Sequence, residues 1–521
     1  MKKNHFLFVL ISVGVVLAFL GSGFARFSVK PAGPLPSEML LETILNRVYD
    51  ALGNVNVAKP SILQTSENRN IAMYYRRSNR IEVDEKLVQI CQGMGDAGHD
   101  ALAFVIGHEL QHAIKDASDE DAHFLAHYRT NGSTARSELD ADVAGAFSAY
   151  QAGYRQTLAV LPNLLEKIYT AYRLKDTELP GYPSLEERKR TSMKVVDYTR
   201  CVIELFELGN YLVALGKYEA AAQIYEQILP VYHGSVVHNN LGVCRTLQAF
   251  YLSDPPSDPY LFPLELGSKL PLRIPELSRG TSTLGPEYWK KRSTLLTTAE
   301  SSFRQALRLQ PTDMKSQINL ACALIMNGKT EEAMRFIHGQ NLMGKTGHNP
   351  EQAEKVRLTL ALAEAYLSHP SAMAHFQALR DSRHQLVRQI AQYNHAILTG
   401  QTPPFSASCD IPDGMMPKPG KLNEHPQVLK KMNTYPLAGP SPYQLSYAWS
   451  GESAHFSLRH RDKVLFVAQK MRHHSAFKPG PNKKVLDTDD GYIGVCIEKQ
   501  FAYTYNEHKK AITEWLIFKD F

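Results

Sequence analysis

The residues best suited to chemistry are Gly107-His108-Glu109-Leu110-Gln111-His112, an H-E-x-x-H pair inside the apolar run Ala101 to Ile114. The run reads as a helix. Helical geometry places His108 and His112 one turn apart on one face, where two imidazoles can share a metal ion. Glu109 stands beside them. A carboxylate next to a metal-activated water takes its proton, so the motif specifies a Lewis acid and a general base together.

Two histidines at this spacing also make a plain polar seam on a helix, so further ligands decide the reading. Downstream, Arg136-Ser137-Glu138-Leu139-Asp140-Ala141-Asp142-Val143-Ala144-Gly145 opens a second helical pattern that runs through Tyr150 and stops at Gly153. Glu138 and Asp142 lie one turn apart on it. A catalytic zinc site takes three protein ligands and keeps one open position, and His108, His112 and Glu138 make that set. Asp142 is then expected to hydrogen-bond a ligand imidazole from behind. The expected cofactor is a single Zn2+ ion per chain.

At these residues the sequence resembles the HtpX-like and CAAX prenyl endopeptidase-like zinc metallopeptidases. These belong to the gluzincins and carry H-E-x-x-H followed on a later helix by E-x-x-A-D. The resemblance implies that Glu138 is the third ligand, that Asp142 supports the site, and that the surrounding unit is a zincin-like α+β domain. A short β-hairpin and a helix precede the metal helix in that family. Here Ile71 to Arg76 and Arg80 to Val83 are the candidate strands around Ser78-Asn79, with Asp84 as the cap of a helix over Glu85 to Cys91. By the same resemblance an extended substrate is expected to add as a strand near Ile81 to Val83.

Two features depart from the family. The spacer after His112 is short and begins Lys115-Asp116-Ala117-Ser118-Asp119-Glu120-Asp121, too polar to span lipid, which points to a soluble catalytic domain. At Gly181-Tyr182-Pro183 the family commonly has His before Pro. Tyr182 either donates its hydroxyl to the oxyanion of the tetrahedral intermediate, a catalytic role, or packs against Pro183. His123 and His127 form another pair one turn apart; with no third-ligand pattern near them they read as surface residues.

The elements that would hold this site occupy only part of the 521 residues. Residues 1–25 have a basic start, an apolar core and a small-residue exit, which reads as a signal peptide, with an uncleaved anchor as the rival. Membrane association is expected only through that segment if it is retained. Residues 26–199 form the expected metallopeptidase domain. From 200 to 397 the period changes: Leu205, Leu208, Gly209, Leu212, Ala221 and Tyr225 follow tetratricopeptide spacing. Leu320, Ala321, Leu324, Gly328, Ala333 and Phe336 repeat it. A Pro-, Ser- and Gly-rich insertion at 253–288 interrupts the array, either as a flexible loop or as a segment reaching toward the active site. Residues 398–442 read as a Pro/Gly-rich linker, and 443–521 as a small β-rich C-terminal domain in which Arg472-His473-His474 falls between strands. The expected fold is therefore multidomain and mainly α: an α+β peptidase unit and an α-helical solenoid, with a β-rich end.

The net charge of +6 is spread along the chain with no basic block interleaved with aromatics, so nucleic acid is not an expected partner. Six cysteines do not make a disulfide scaffold at this length; Cys201, Cys244 and Cys322 fall in helical patterns as expected buried thiols, and Cys409 and Cys496 are a possible pair. These features describe an exported, periplasmic or secreted zinc endopeptidase acting on protein or peptide substrates, with repeats that bind substrate or a protein partner. The order of peptidase and repeats resembles periplasmic beta-barrel assembly-enhancing proteases, which implies a role in envelope protein quality control. The competing reading is a non-proteolytic or gated tetratricopeptide scaffold or chaperone with a structural zinc site.

Overall fold

The computed structural model describes residues 37–401 apart from 53–57, 67–69, 115–121, 124–131, 175–184, 231, 253–257, 268–284 and 347–348, and beyond residue 401 the backbone of the β-strands. The signal segment 1–25, Tyr182, His127, Cys409 and most of the linker 398–442 lie outside the described residues. The described part is multidomain and mainly helical.

The first unit begins with α1 (Ser37–Leu52), whose apolar residues at 40, 41, 44, 45, 48 and 52 are buried, the spacing of an amphipathic helix. Strands β1 (Ser61–Thr65), β2 (Ala72–Tyr75), β3 (Arg80–Asp84) and β4 (Ala122–His123) form a sheet of order β1-β3-β2-β4. The β2–β3 hairpin turns at Asn79, which takes φ 44°, a left-handed conformation that asparagine tolerates. Asp84 then caps α2 (Glu85–Gln92) through Lys86 N–H. Helices α3 (Ala97–Ile114), α4 (Gly132–Gln151) and α5 (Thr157–Ala171) close this core. The expected site of substrate addition at Ile81 to Val83 is corrected here. Strand β3 is paired on both sides, parallel to β1 and antiparallel to β2, so its N–H and C=O groups are already used. The outer strands of the described sheet are β1 and β4.

A 30-residue helix, α6 (Leu185–Ala214), then runs through position 199 without a break. Neither proline nor glycine interrupts it until Gly209. It pairs with α7 (Tyr218–Ile228), and stacking continues through α8 (Ser235–Tyr251), α9 (Pro286–Leu309), α10 (Met314–Met326), α11 (Thr330–Gly339), the single turn α12 (Leu342–Lys345), α13 (Pro350–Tyr366), α14 (Ser371–Leu379) and α15 (Gln385–Leu398). Gly216 and Gly328 end α6 and α10 at φ 75° and 72°, the left-handed termination that favours glycine. Small residues at the repeat marks admit neighbouring rings: a Cβ at Gly209 would lie 2.8 Å from the Tyr225 ring, and one at Gly242 2.6 Å from Phe303. This is a stack of helical hairpins with one continuous apolar core. Within the insertion, residues 258–267 are buried against the repeat helices. No described helix is long and apolar enough to cross a membrane.

Cys201, Cys244 and Cys322 are buried thiols, as is Cys91. Burial pushes Cys91, Cys201 and Cys322 up to about 12, so they are inert at neutral pH. The C-terminal region is an eight-stranded antiparallel sheet of order β5-β6-β7-β8-β12-β11-β10-β9. Its strands are β5 (Asn433–Thr434), β6 (Tyr443–Ser450), β7 (Ser453–His460), β8 (Lys463–Ser475), β9 (Asp487–Thr488), β10 (Gly491–Cys496), β11 (Phe501–Asn506) and β12 (Ala511–Asp520). Arg472-His473-His474 lies inside β8 rather than between strands, because pairing with β12 carries the polar triplet along, Arg472 opposite Glu514.

Candidate metal centre

Helix α3 is buried on nearly every side from Gly98 to Gln111, so its polar residues in the middle must find partners inside the protein. His108 and Glu109 are both 0% exposed, and His112, one turn on, is half-buried at the rim. The expected hydrogen bond between Asp142 and a histidine of the motif is present: Asp142 Oδ1 lies 2.7 Å from His108 Nδ1. A carboxylate accepts, so Nδ1 carries the proton and Nε2 is left with its lone pair.

That Nε2 faces His112 Nε2 at 3.0 Å, with ring centroids 4.8 Å apart and planes at 70°. Two nitrogens bound to one tetrahedral zinc at ordinary bond lengths lie about 3.3 Å apart. The two imidazoles thus stand within a few tenths of an ångström of a shared-ligand arrangement. Among the described residues the convergent donors are these two, and no described group of three donors is complete. Glu138 sits on α4 one turn before Asp142; its side chain lies outside the described residues. His123 is on strand β4, paired opposite Met73.

What sets the distance between α3 and α4 is a pair of glycines, Gly107 and Gly145. A Cβ at Gly107 would meet Gly145 O at 2.6 Å, and a Cβ at Gly145 would meet His108 N at 2.6 Å. The backbones of α3 and α4 therefore touch beside the site. Any larger residue at either place would push Asp142 away from His108. The signal available in sequence was that both glycines interrupt strong helical patterns next to candidate site residues, where a helical glycine costs stability and marks a close approach. Farther along α3, Asp100 accepts from the Gln156 N–H at 2.6 Å and ties the start of α5 to the same helix. Burial raises the Asp100 carboxyl above its usual value, against the lowering effect of that hydrogen bond.

No protein-family model and no curated protein matches the chain. Among solved structures, a monomeric mutant of IFIT1 with m7Gppp-AAAA is 11% identical at a TM-score of 0.31, covering 60% of this chain and 57% of that one. The human IFIT1 dimer with m7Gppp-AAAA is 12% identical at a TM-score of 0.28, covering 58% and 55%. The alignments thus span little more than half of IFIT1. A likeness at this level assigns no ligand or activity to this chain.

Proposed function

We propose that the chain is an exported zinc-dependent endopeptidase whose helical repeats bind the protein substrate or a partner. The observation that carries this reading is the facing of His108 Nε2 and His112 Nε2 at 3.0 Å with Asp142 on the far nitrogen of His108. His108, His112 and Glu138 would hold the metal. Zinc bound there would supply Lewis acidity, polarising a peptide carbonyl and acidifying water. Glu109 takes the proton from the attacking water and returns it to the leaving amine. Asp142 keeps His108 in one tautomer throughout, and Tyr182 would donate to the developing oxyanion. With β3 internal, an extended substrate would pair instead at the β4 edge, beside β2, the strand that packs on α3. Misassembled envelope proteins are the substrate class that the domain order suggests.

A second reading is a gated or non-proteolytic repeat scaffold with a structural zinc site. It draws on the burial of the motif: His108 and Glu109 at 0% and Asp142 at 1% exposure leave His112 as the one of these four residues with surface for a peptide to touch. The deciding experiment is digestion of an unfolded protein by the zinc-loaded chain beside a Glu109→Gln variant that retains zinc. Cleavage by the first alone supports the peptidase. Cleavage by neither, with zinc stoichiometrically bound to both, favours the scaffold.

A further inference from the structure

Residues 258–267, Asp-Pro-Tyr-Leu-Phe-Pro-Leu-Glu-Leu-Gly, adopt no helix or strand, yet they are buried almost throughout. Asp258 is held by Arg292 of α9 and by the Tyr366 hydroxyl of α13, and the backbone beyond it meets asparagines of α15, α10 and α8, against chain order. At Leu261 the N–H donates to Asn394 Oδ1 at 2.8 Å and the carbonyl accepts from Asn394 Nδ2 at 2.9 Å. The same two-way pairing recurs at Glu265, whose N–H donates to Asn319 Oδ1 at 2.8 Å and whose carbonyl accepts from Asn319 Nδ2 at 2.7 Å. Gly267 N–H then donates to Asn240 Oδ1 at 2.7 Å. Three helices from successive parts of the stack thus present asparagines to the backbone of one extended segment, α8 two of them, because Asn239 Nδ2 also donates to the Glu265 carbonyl at 3.0 Å.

A carboxamide that both donates to and accepts from one residue does for an extended chain what a neighbouring β-strand would do. It recognises backbone, so it is indifferent to the side chain at that position. Asn240, Asn319 and Asn394 are all 0% exposed. Asn240 and Asn319 also hydrogen-bond Asn210, Tyr225 and Asn239 of the helices, and any amide atom that the segment alone satisfies would cost about 1–3 kcal/mol if left unpaired. This helical surface is therefore built to be filled by an extended polypeptide. Besides Asp258, side chains add selectivity at two places. Glu265 pairs with Lys355 of α13 at 3.0 Å, and Tyr260 packs on Tyr366 and Phe376 with centroids 5.4 and 6.3 Å apart.

We propose that the groove formed by α8, α10, α13 and α15 is a binding site for an extended polypeptide, that residues 258–267 occupy it in cis, and that a partner segment of the same chemistry enters by displacing them. The partner segment is extended, carries an aromatic residue, and places one carboxylate five residues later to meet Lys355, as Tyr260 and Glu265 do. The proposal deepens the partner-binding half of the proposed function and stands apart from the metal site.

The test uses the full chain carrying Glu109→Gln, so that hydrolysis plays no part, and a fluorescent peptide of residues 257–268 read by anisotropy. Glu265→Lys in the chain sets two cations against each other and weakens the cis segment. Because a groove occupied in cis binds in proportion to its open fraction, this variant should bind the peptide at least about tenfold more tightly than the unaltered chain. Adding Asn319→Ala should abolish the gain, as should the same Glu→Lys change in the peptide. A folded Glu265→Lys chain that gains no binding, or a gain that survives Asn319→Ala, overturns the proposal. Hydrogen exchange decides the matter if that variant does not fold. In the unaltered chain the Leu261 and Glu265 amides should exchange at least about tenfold faster than those in the middle of α10. Equal protection would make the segment permanent core and overturn the proposal.

Discussion

The hydrogen bond from His108 Nδ1 to Asp142 decides which lone pair the imidazole presents to its neighbour. Asp142→Ala removes the acceptor and lets the ring take the other tautomer, so zinc affinity should fall about 10–100-fold, read by competition with a chelator of known strength. Unchanged affinity would remove Asp142 from the site. A second residue-scale prediction concerns acid. Burial, aided by His233 and Arg308, holds the His238 imidazole down at about 4 against an ordinary 6.5. Above the ordinary value both folded and unfolded chains keep it neutral. As the pH falls through that value the unfolded chain takes up a proton that the folded chain refuses until about 4, so stability is lost across that window. The loss is bounded at about 3 kcal/mol. His238→Gln should therefore narrow the difference in melting temperature between about pH 7 and about pH 5; an undiminished difference would assign the acid sensitivity to other groups. Of these residues the sequence disclosed the facing pair His108 and His112 and the partner Asp142, because spacing along one helix is a local pattern. It did not disclose His238, whose low basicity comes from neighbours brought in by the stacking of the repeats.

Among elements, α3 and α4 make the site by crossing at Gly107 and Gly145. Gly145→Ala would place a methyl group against the backbone of His108, and overpacking of this kind costs about 1–3 kcal/mol. The helices must part to accept it, so weaker zinc binding should accompany the lower melting temperature. A variant that melts lower but binds zinc as before would separate the crossing from the site. Helix positions, the β2–β3 hairpin and the C-terminal strands follow from periodicity and turn residues, which act within a few positions of one another. Strand order does not. The parallel pairing of β1 with β3 joins segments that no turn connects, and it turned an expected open edge into an interior strand. The asparagines that seat residues 258–267 were equally silent, since Asn240, Asn319 and Asn394 are scattered through helices whose period records only their apolar faces. The Pro- and Gly-rich composition of the insertion resembles a solvated linker, although Tyr260, Leu261, Phe262, Leu264 and Leu266 pack into the core.

At the scale of the whole molecule, α4 belongs to two cores at once. Val143, Ala146 and Ala149 pack into the first unit, whereas Ala144, Phe147 and Tyr150 pack into the repeat array. Phe147 lies edge-on to Tyr232 with centroids 4.5 Å apart and to Phe206 at 5.7 Å, and the Tyr150 hydroxyl donates to Glu207. The helix that carries Asp142 is thus clamped by the first repeats, and α6 runs unbroken from one unit into the other. Two units joined in this way should unfold together, and a defect on the repeat side of α4 should reach the metal helix through it. Phe147→Ala tests this, because Phe147 is fully buried and its ring contacts run to the repeats. Truncating a buried phenylalanine costs about 3–5 kcal/mol. If α4 transmits the change, zinc affinity falls in the folded variant and calorimetry shows one transition moved downward. If the repeats melt early in a separate transition while zinc affinity holds, the two cores are independent and the shared helix is only a neighbour to both.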